Sequence, residues 1–192
     1  VSGATIDFGA DADFASFANA VSASTILSGT GADTLMFAGT NTLVFGDALT
    51  SAQVSFGANN DMATFVADIT SASIYGGGGA DSFAFSAAVS GATIDFGLGA
   101  DFATFGGAVA SSTILSGTGA DTLMFAGTNT LVFGDALTSA QVSFGANNDM
   151  ATFVADITSA SIYGGDGADS LNFGAVAVTG ATIDFGLGAD FA

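Results

Sequence analysis

The chain has 192 residues, 49% of them apolar, with 19 Phe and with no Lys, Arg, His, Cys, Pro or Trp. Its acidic residues are all Asp and leave a formal net charge of −18, which no side chain of the protein balances. This charge excludes binding to nucleic acid or to a membrane surface through basic residues, and the missing Cys and His exclude disulfides and thiolate or imidazole metal sites. Gly, Ser, Thr or Asp interrupts every apolar stretch, so no membrane-inserted helix is expected.

The sequence is organised as an internal repeat of 88 residues. Residues 1–88 recur almost unchanged as residues 89–177, and residues 178–192 begin a third copy. A repeat of this kind predicts one continuous structure over residues 1–192 without a domain boundary. We expect it to be an uncapped segment of a longer repetitive chain.

Each copy contains shorter units in which two strands alternate with two turns. The first unit reads as a strand from Thr5, a Gly-rich turn that ends at Asp13, a strand that ends at Phe17, and a second turn around Val21. The Gly, Ser, Thr and Val content and the period-two alternation of apolar residues indicate strands and not helices. With spacings of 20, 28, 20 and 20 residues, the unit restarts at Thr5, Thr25, Gln53, Ser73, Thr93, Thr113, Gln141, Ser161 and Thr182.

Units of about 20 residues are typical of solenoid coils. We therefore predict an all-β fold, a parallel β-solenoid of the β-roll or β-helix type with nine stacked coils. Stacking places equivalent residues above one another, so two inward columns are expected. One column comprises Ile6, Ile26, Val54, Ile74, Ile94, Ile114, Val142, Ile162 and Ile183. The other comprises Phe17, Phe37, Phe65, Phe85, Phe105, Phe125, Phe153 and Phe173.

One acidic position recurs in the Gly-rich turn of all nine units. Stacked coils would bring its carboxylates within about 5 Å of each other, where uncompensated like charges oppose folding. Ca²⁺ is the expected counter-ion, because the chain offers only carboxylate and carbonyl oxygens as ligands. The predicted metal-binding aspartates are Asp13, Asp33, Asp61, Asp81, Asp101, Asp121, Asp149, Asp169 and Asp190.

Glycines of the same turns permit backbone conformations that aim carbonyl oxygens at a hard cation. Some turns depart from the pattern, with Asp11 in place of a Gly and with Asn pairs before Asp61 and Asp149, and Asn tolerates left-handed backbone. The remaining aspartates are expected at the surface or as turn caps. The predicted backbone ligands are Gly9, Gly29, Gly31, Gly57, Gly77, Gly79, Gly97, Gly99, Gly117, Gly119, Gly145, Gly165, Gly167, Gly186 and Gly188.

The turn sequences SGTGADTLM, GGGGADSFA and GGDGADSLN resemble the G-G-x-G-x-D-x-U-x nonapeptide of RTX, or haemolysin-type, calcium-binding repeats. The resemblance implies a right-handed parallel β-roll, calcium between successive turns, and export from a calcium-poor cytosol into a calcium-rich exterior. RTX nonapeptides place a calcium turn on both edges of the roll, whereas here only one turn per 20 residues fits. We therefore expect one row of calcium ions along one edge, in the eight gaps between nine turns.

The 28-residue units contain eight additional residues, AGTNTLVF, at positions 38–45 and 126–133. The insert resembles half a unit with Asn in place of Asp. It could bulge or form a protruding hairpin, which would keep the aspartates on one edge. It could instead add half a coil, which would move them to the opposite edge. We favour the bulge.

The residue types provide no unique acid, base or nucleophile, so we do not expect an enzyme. Repeated identical surfaces favour assembly. The first hypothesis is a calcium-stabilised structural protein of a bacterial extracellular filament, surface layer or matrix fibre, with further copies of the chain stacking end to end. The alternative is a calcium-binding secretion and folding module of an RTX toxin, hydrolase or adhesin. Thr is too irregularly placed for an ice-binding array.

Overall fold

The computed structural model describes residues 1–192, which form 25 strands. The strands wind into an all-β parallel solenoid of about nine coils with about 20 residues in each, which confirms the predicted fold class. Hydrogen bonds join each strand to the equivalent strands of the coils before and after it. The structure contains no helix, and so no helix long and apolar enough to cross a membrane.

One long side of the rod, named here the first face, is a ten-stranded sheet. All of its strands run in the same direction, and each comes from a different passage of the chain along this side. In spatial order they are β1 (Thr5–Asp7), β3 (Ser22–Leu27), β5 (Thr42–Phe45), β8 (Met62–Phe65), β11 (Ser82–Phe85), β14 (Phe102–Phe105), β16 (Thr122–Phe125), β19 (Gln141–Gly145), β22 (Ser161–Gly165) and β25 (Thr182–Asp184).

The opposite long side, the second face, belongs to a 12-stranded sheet. Its long strands are β2 (Phe14–Phe17), β4 (Thr34–Phe37), β7 (Gln53–Ser55), β10 (Ser73–Tyr75), β13 (Thr93–Asp95), β15 (Val109–Leu115), β17 (Thr130–Phe133), β20 (Met150–Phe153) and β23 (Ser170–Asn172). Short strands line the two narrow edges: β6 (Leu49–Thr50), β9 (Ile69–Thr70) and β12 (Val89–Ser90) on one, and β18 (Leu137–Thr138), β21 (Ile157–Thr158) and β24 (Val178–Thr179) on the other.

A middle coil shows the path of the chain. It runs along the second face as β10, crosses one narrow edge through the Gly-rich turn, and returns along the first face as β11. It then follows the other narrow edge as β12 and turns into β13, which stacks on β10 with Ile94 opposite Ile74. Each coil therefore has a Gly-rich turn on one edge and a short strand on the other.

A corner with left-handed backbone joins each short strand to the next long strand. Its φ angle lies between 48° and 62° in all nine coils. A residue other than Gly in this region costs about 1–3 kcal/mol, so the surrounding stacked coils must enforce the corner. The sequence analysis did not identify this column, whose only signal is a small residue two positions before each first long strand: Gly3, Ala23, Ser51, Ser71, Gly91, Ser111, Ser139, Ser159 and Gly180.

The eight-residue insert adds half a coil, so the favoured bulge is wrong. Its residues form β5, which lies in the first face between β3 and β8. Strand β4, which follows Asp33, consequently pairs with β7, which precedes the next Gly-rich turn. The second insert forms β17 between β15 and β20 in the same way. A strand paired on both sides satisfies its backbone hydrogen bonds, which a protruding hairpin would leave to solvent.

Because of the half-coils, each 88-residue repeat is four and a half coils long. Equivalent strands of successive repeats therefore lie on opposite faces, with β1 in the first face and its counterpart β13 in the second. The rod consequently has an approximate two-fold screw axis along its length. At about 4.8 Å per coil, successive repeats are about 22 Å apart along that axis.

An apolar core of 39 buried residues fills the space between the two faces. Phe rings stack along it, for example Phe65 on Phe85 and Phe85 on Phe105, with centroids 4.8 and 4.7 Å apart. The predicted inward columns are buried in the middle coils, but each column is not continuous. Because of the half-coil, Ile26 stacks on Phe45 and not on Val54. In the outermost coils four predicted core residues are only partly buried: Ile6, Phe17, Phe173 and Ile183.

Candidate metal centre

The Asp of each Gly-rich turn points inward and bonds to the neighbouring coil. Oδ1 of Asp101 accepts the backbone N–H of Asp81 at 2.7 Å, and Oδ1 of Asp81 accepts that of Asp61 at 2.8 Å. This N–H lies in a turn, outside the sheet hydrogen bonds, so the carboxylate supplies the acceptor that a buried donor requires. The same bond, at 2.9–3.0 Å, links Asp13 to Asp33, Asp101 to Asp121, Asp149 to Asp169 and Asp169 to Asp190.

The half-coils divide the nine aspartates into three ladders, so the expected single row along one edge is wrong. The first and third ladders precede strands of the second face, whereas the second ladder precedes strands of the first face. Successive ladders therefore lie on opposite narrow edges. They leave one, three and two gaps between neighbouring aspartates, six in place of eight. The members are Asp13 and Asp33, then Asp61, Asp81, Asp101 and Asp121, then Asp149, Asp169 and Asp190.

Asn residues of the inserts begin the second and third ladders. Oδ1 of Asn41 accepts the N–H of Val21 at 3.0 Å, and its Nδ2 donates to Oδ1 of Asp61 at 2.8 Å. Asn129 makes the same two bonds, to Val109 at 3.1 Å and to Asp149 at 2.8 Å. A neutral amide therefore occupies the ladder position next to the acidic run without loss of the backbone hydrogen bond.

The ladder carboxylates are buried, and half of each lacks a partner. The seven aspartates from Asp33 to Asp169 in this register expose 2% or less of their surface. An ionised oxygen without a partner is costly in the protein interior, so these atoms require a proton or a cation. Oδ2 is buried without a hydrogen-bond partner in Asp13, Asp61, Asp81, Asp101, Asp121, Asp149 and Asp169.

The pKa values of the ladder reflect this burial. Desolvation, with a smaller contribution from the neighbouring carboxylates of Asp101 and Asp61, raises the pKa of Asp81 to about 7. Desolvation and the charge of Asp121 raise the pKa of Asp101 to about 6. Burial likewise raises the pKa of Asp61, Asp121, Asp149 and Asp169. Without a cation, the fold therefore favours the protonated form of the ladder.

Glycine in these turns is required by stacking as well as by backbone conformation. The φ angles are +91° at Gly97 and +135° at Gly99, and a Cβ on either residue would overlap the carbonyl oxygen of Gly77 or Gly79 in the preceding coil. Those carbonyl oxygens therefore point along the rod into the gap between successive turns. This is the direction from which a cation between turns would be coordinated.

The carbonyl oxygens predicted as backbone ligands fall into two groups. In the first, each oxygen accepts an N–H from the next coil, as Gly77 does from Leu98 at 2.9 Å and Gly97 from Thr118 at 2.8 Å. Gly9, Gly57, Gly145 and Gly165 belong to this group too. The second group accepts no hydrogen bond: Gly29, Gly31, Gly79, Gly99, Gly117, Gly119, Gly167, Gly186 and Gly188. Since a carbonyl oxygen has two lone pairs, both groups retain an acceptor.

The turns that follow the inserts contain Asn, but not in the expected left-handed conformation. Neither Asn59 nor Asn60 has a positive φ, and the same is true of Asn147 and Asn148. Asn59 instead donates through Nδ2 to the carbonyl oxygen of Ala38 at 3.1 Å. Oδ1 of Asn60 accepts an N–H from the next coil at 2.9 Å. These side-chain bonds to the stacked coils stabilise the turn without left-handed backbone, whereas Asp11 does adopt it, with φ of 77°.

Aspartates outside the ladders cap turns, as the sequence predicted. Asp47 accepts the N–H of Ser28 at 2.9 Å and that of Gly29 at 2.6 Å, and so joins the first insert to the coil before it. Asp135 makes the same pair of bonds at 3.0 and 2.6 Å in the second insert. Single backbone N–H groups are accepted by Asp7, Asp68, Asp156 and Asp184.

The oxygen atoms in the gaps between turns fit a hard cation. No group of three or more acidic side chains converges on one point, because each gap adjoins only two ladder carboxylates. Carbonyl oxygens would have to complete the shell. A Cβ built on Gly76 would meet the unbonded carbonyl oxygen of Phe96 and lie 2.8 Å from Oδ2 of Asp81, so both oxygens border one small space. Gly164 repeats this arrangement with Phe185 and Asp169.

Comparison with known proteins adds nothing to this geometry: no protein-family model, no curated protein and no solved structure matches the chain.

Proposed function

We propose that this chain is a non-catalytic structural rod, stabilised by Ca²⁺ between its coils, from an extracellular filament, surface layer or matrix fibre of a bacterium. Within the rod, each ladder position would have two tasks on two different atoms. Oδ1 holds the backbone N–H of the neighbouring coil, and Oδ2 shares a calcium ion with the next aspartate and with turn carbonyls.

The observation that carries the proposal is the set of seven buried Oδ2 atoms without a hydrogen-bond partner. They recur in register from coil to coil in a chain of net charge −18 that has no basic side chain. An external cation is therefore the only source of compensating charge other than protons. Carboxylate and carbonyl oxygens are the ligands that Ca²⁺ takes in proteins. The similarity of the turns to RTX repeats supports the same metal and an exported location.

The repeated architecture supports a structural task. The screw relation presents every outward side chain again about 22 Å along the rod on the opposite face, so the surface is periodic and has no single distinguished site. The two repeat copies stack within the chain through the same register as coils of one copy, as Ile74 does on Ile94. Further copies joined through this contact would extend the rod into a filament.

A second candidate function is a calcium-dependent folding module attached to an exported toxin, hydrolase or adhesin. The buried ladders favour it equally, because a chain that folds only when a cation neutralises its carboxylates stays unfolded until it reaches a calcium-rich exterior. The two candidates differ in whether the folded rod assembles. Electron microscopy in about 1 mM calcium would show filaments for the structural rod, and dispersed short rods for the module.

Calcium-dependent stability tests the metal. We expect circular dichroism at about pH 8 to show a large rise in melting temperature when calcium is added, and a loss of it with a chelator. Magnesium should be far less effective, since it requires a small octahedral shell and retains its waters. Unchanged melting in excess chelator would exclude the calcium-stabilised rod.

A charge-matched pair of variants assigns the effect to the ladder. Asp101→Asn removes one negative charge from the second ladder, whereas Asp166→Asn removes one from an exposed turn position that makes no side-chain hydrogen bond. Titration calorimetry should show fewer calcium ions bound by the first variant and the parent number bound by the second. Equal losses in both variants would indicate a diffuse ion atmosphere in place of defined sites.

A further inference from the structure

The outward surface of the first face carries no charge between Asp7 and Asp184, although the chain has a net charge of −18. Two columns of outward side chains run along it. One contains Ser22, Thr42, Met62, Ser82, Phe102, Thr122, Gln141 and Ser161. The other contains Thr25, Val44, Thr64, Ala84, Thr104, Met124, Ser143 and Tyr163.

Large apolar side chains are exposed in the middle of this surface. Val44, Met62, Phe102 and Met124 expose 38, 53, 42 and 47% of their surface. A shallow groove of about 720 Å³ runs beside Met124, between the outward column and the row of small residues at the strand ends. Exposed apolar surface of this extent on a soluble protein is typical of a binding surface.

The second face differs at its centre. Its outward column contains Asp95 between Tyr75 and Leu115, in the fifth of the nine coils. A charged group in the middle of a flat contact would have to be desolvated on binding, which opposes association. The first face is therefore the better candidate for a contact between rods.

We propose that the first face binds the first face of a second copy of this chain, so that two rods associate side by side. Two chains of charge −18 repel each other, and the uncharged face allows the closest approach with the least repulsion. A basic partner would gain no ion pair on this face. A second copy supplies the matching apolar surface and satisfies the two-fold symmetry of most homodimers.

The size of the face indicates a weak to moderate contact. Eight strands at about 4.8 Å and about five residues at about 3.3 Å per strand give an area of about 600 Å² on each rod. The total of about 1,200 Å² lies at the lower end of specific interfaces, so association is expected at micromolar concentrations or above. Side-by-side contact goes beyond the end-to-end stacking of the proposed filament and does not depend on calcium once the rod is folded.

Sedimentation equilibrium from about 10 to 500 µM protein tests the contact, under conditions in which circular dichroism shows the folded rod. The parent chain should dimerise, and Met62→Asp should weaken dimerisation at least tenfold by placing a charge in the contact. Met150→Asp is a matched control: it is the equivalent residue of the second repeat, 52% exposed against 53% for Met62, but it lies on the second face. It should leave dimerisation unchanged.

A second substitution in the same face, Thr104→Asp beside the groove, should also weaken dimerisation and serves if Met62→Asp does not fold. A parent chain that stays monomeric at the highest concentration would overturn the proposal. So would an equal effect of Met150→Asp, which would indicate unspecific apolar association. Both folding conditions, calcium at neutral pH and acid without metal, are to be compared. Dimerisation in acid alone would sustain the contact even if the calcium proposal failed.

Discussion

Asp81 and Asp101 are joined by a hydrogen bond that uses only one oxygen of the carboxylate. Oδ1 of Asp101 accepts the backbone N–H of Asp81 at 2.7 Å, while Oδ2 of both residues is buried without a partner. Oδ1 therefore contributes to the stacking of coils, and Oδ2 is the atom at which a proton or a cation binds. The two contributions can be separated by substitution, because Asn retains the first oxygen and removes the charge.

Substitution of Asp101 should distinguish these contributions. In Asp101→Asn the amide oxygen still accepts the N–H of Asp81, and the same amide occurs naturally in this register at Asn41. In Asp101→Ala the buried N–H loses its acceptor, which costs about 1–3 kcal/mol. We expect the Asn variant to be more stable than the Ala variant by about that amount. Urea unfolding without divalent cations measures the difference.

The comparison with the parent chain depends on pH. At about pH 8 without metal, the parent carries a desolvated charge at Asp101, so Asp101→Asn should be more stable than the parent. At about pH 4 the parent carboxyl is protonated and the difference should disappear. If Asp101→Asn and Asp101→Ala unfolded together at both pH values, the hydrogen bond between coils would have no measurable part in stability.

Stability without metal should fall as pH rises. The pKa of Asp81 is raised from 3.8 to about 7 and that of Asp101 to about 6, so the folded chain binds more protons than the unfolded chain between these values. The resulting stabilisation is complete below about pH 4 and is lost as pH rises through about 6 to 7. Thermal melts in chelator at about pH 4, 6 and 8 should therefore show decreasing melting temperatures.

Calcium should reverse this dependence, because it binds the ionised carboxylates. The stabilisation by calcium is expected to be small at about pH 4 and large at about pH 8. A metal-free rod that is most stable at about pH 8 would contradict the burial of the ladder carboxylates. A calcium effect of equal size at both pH values would contradict coordination by Oδ2.

The fold class was predictable because period-two alternation and the 20-residue unit each permit only one architecture. Parallel stacking of identical units then places Ile74 and Phe85 inside without further information, and both are buried. The aspartate register was equally visible in the sequence. The choice of edge was not, because the insert contains two kinds of signal: a strand of regular alternation, and an Asn in the place of the ladder Asp.

The half-coil could have been recognised from that Asn. Asn41 continues the ladder bond between Val21 and Asp61, so it marks the point at which the Gly-rich edge begins on the opposite side. The roles of Asn59 and of the corner at Ser71 could not be read from the sequence. Both depend on the backbone angles of turns, which adjacent coils determine and which residue identity alone does not.

Alanine substitution of two equivalent glycines should separate backbone strain from stacking. Gly9 and Gly29 have φ angles of +85° and +77°, but a Cβ on Gly29 would overlap the carbonyl oxygen of Gly9, whereas nothing lies within 4 Å of a Cβ on Gly9. Gly9→Ala should cost about 1 kcal/mol from left-handed backbone alone. Gly29→Ala should cost about 2 kcal/mol more, measured by urea unfolding. Equal costs would show that the turns are not closely stacked.

Removal of both inserts tests whether the half-coils divide the acidic column. Deletion of residues 38–45 and 126–133 changes each 28-residue spacing to 20 residues, so every unit becomes one whole coil. The apolar columns remain complete, because Phe37 then stacks on Phe65 and Ile26 on Val54. All nine aspartates should lie on one edge, with eight gaps and no Asn between the acidic runs.

The deletion variant is expected to fold at about pH 4, where the longer column is protonated, and to be less stable than the parent at about pH 8 without metal. Its added repulsion comes from the unbroken run of carboxylates about 5 Å apart, which the parent limits to four before the edge changes. Titration calorimetry should show about one third more calcium ions per chain, following the change from six gaps to eight. A control deletion of residues 86–93 leaves a 12-residue spacing between Asp81 and Asp101, too short for a coil, and should not fold at either pH. If the double deletion unfolded at about pH 4 as the control does, the inserts would be required for packing of the core, and separation of charge would not account for them.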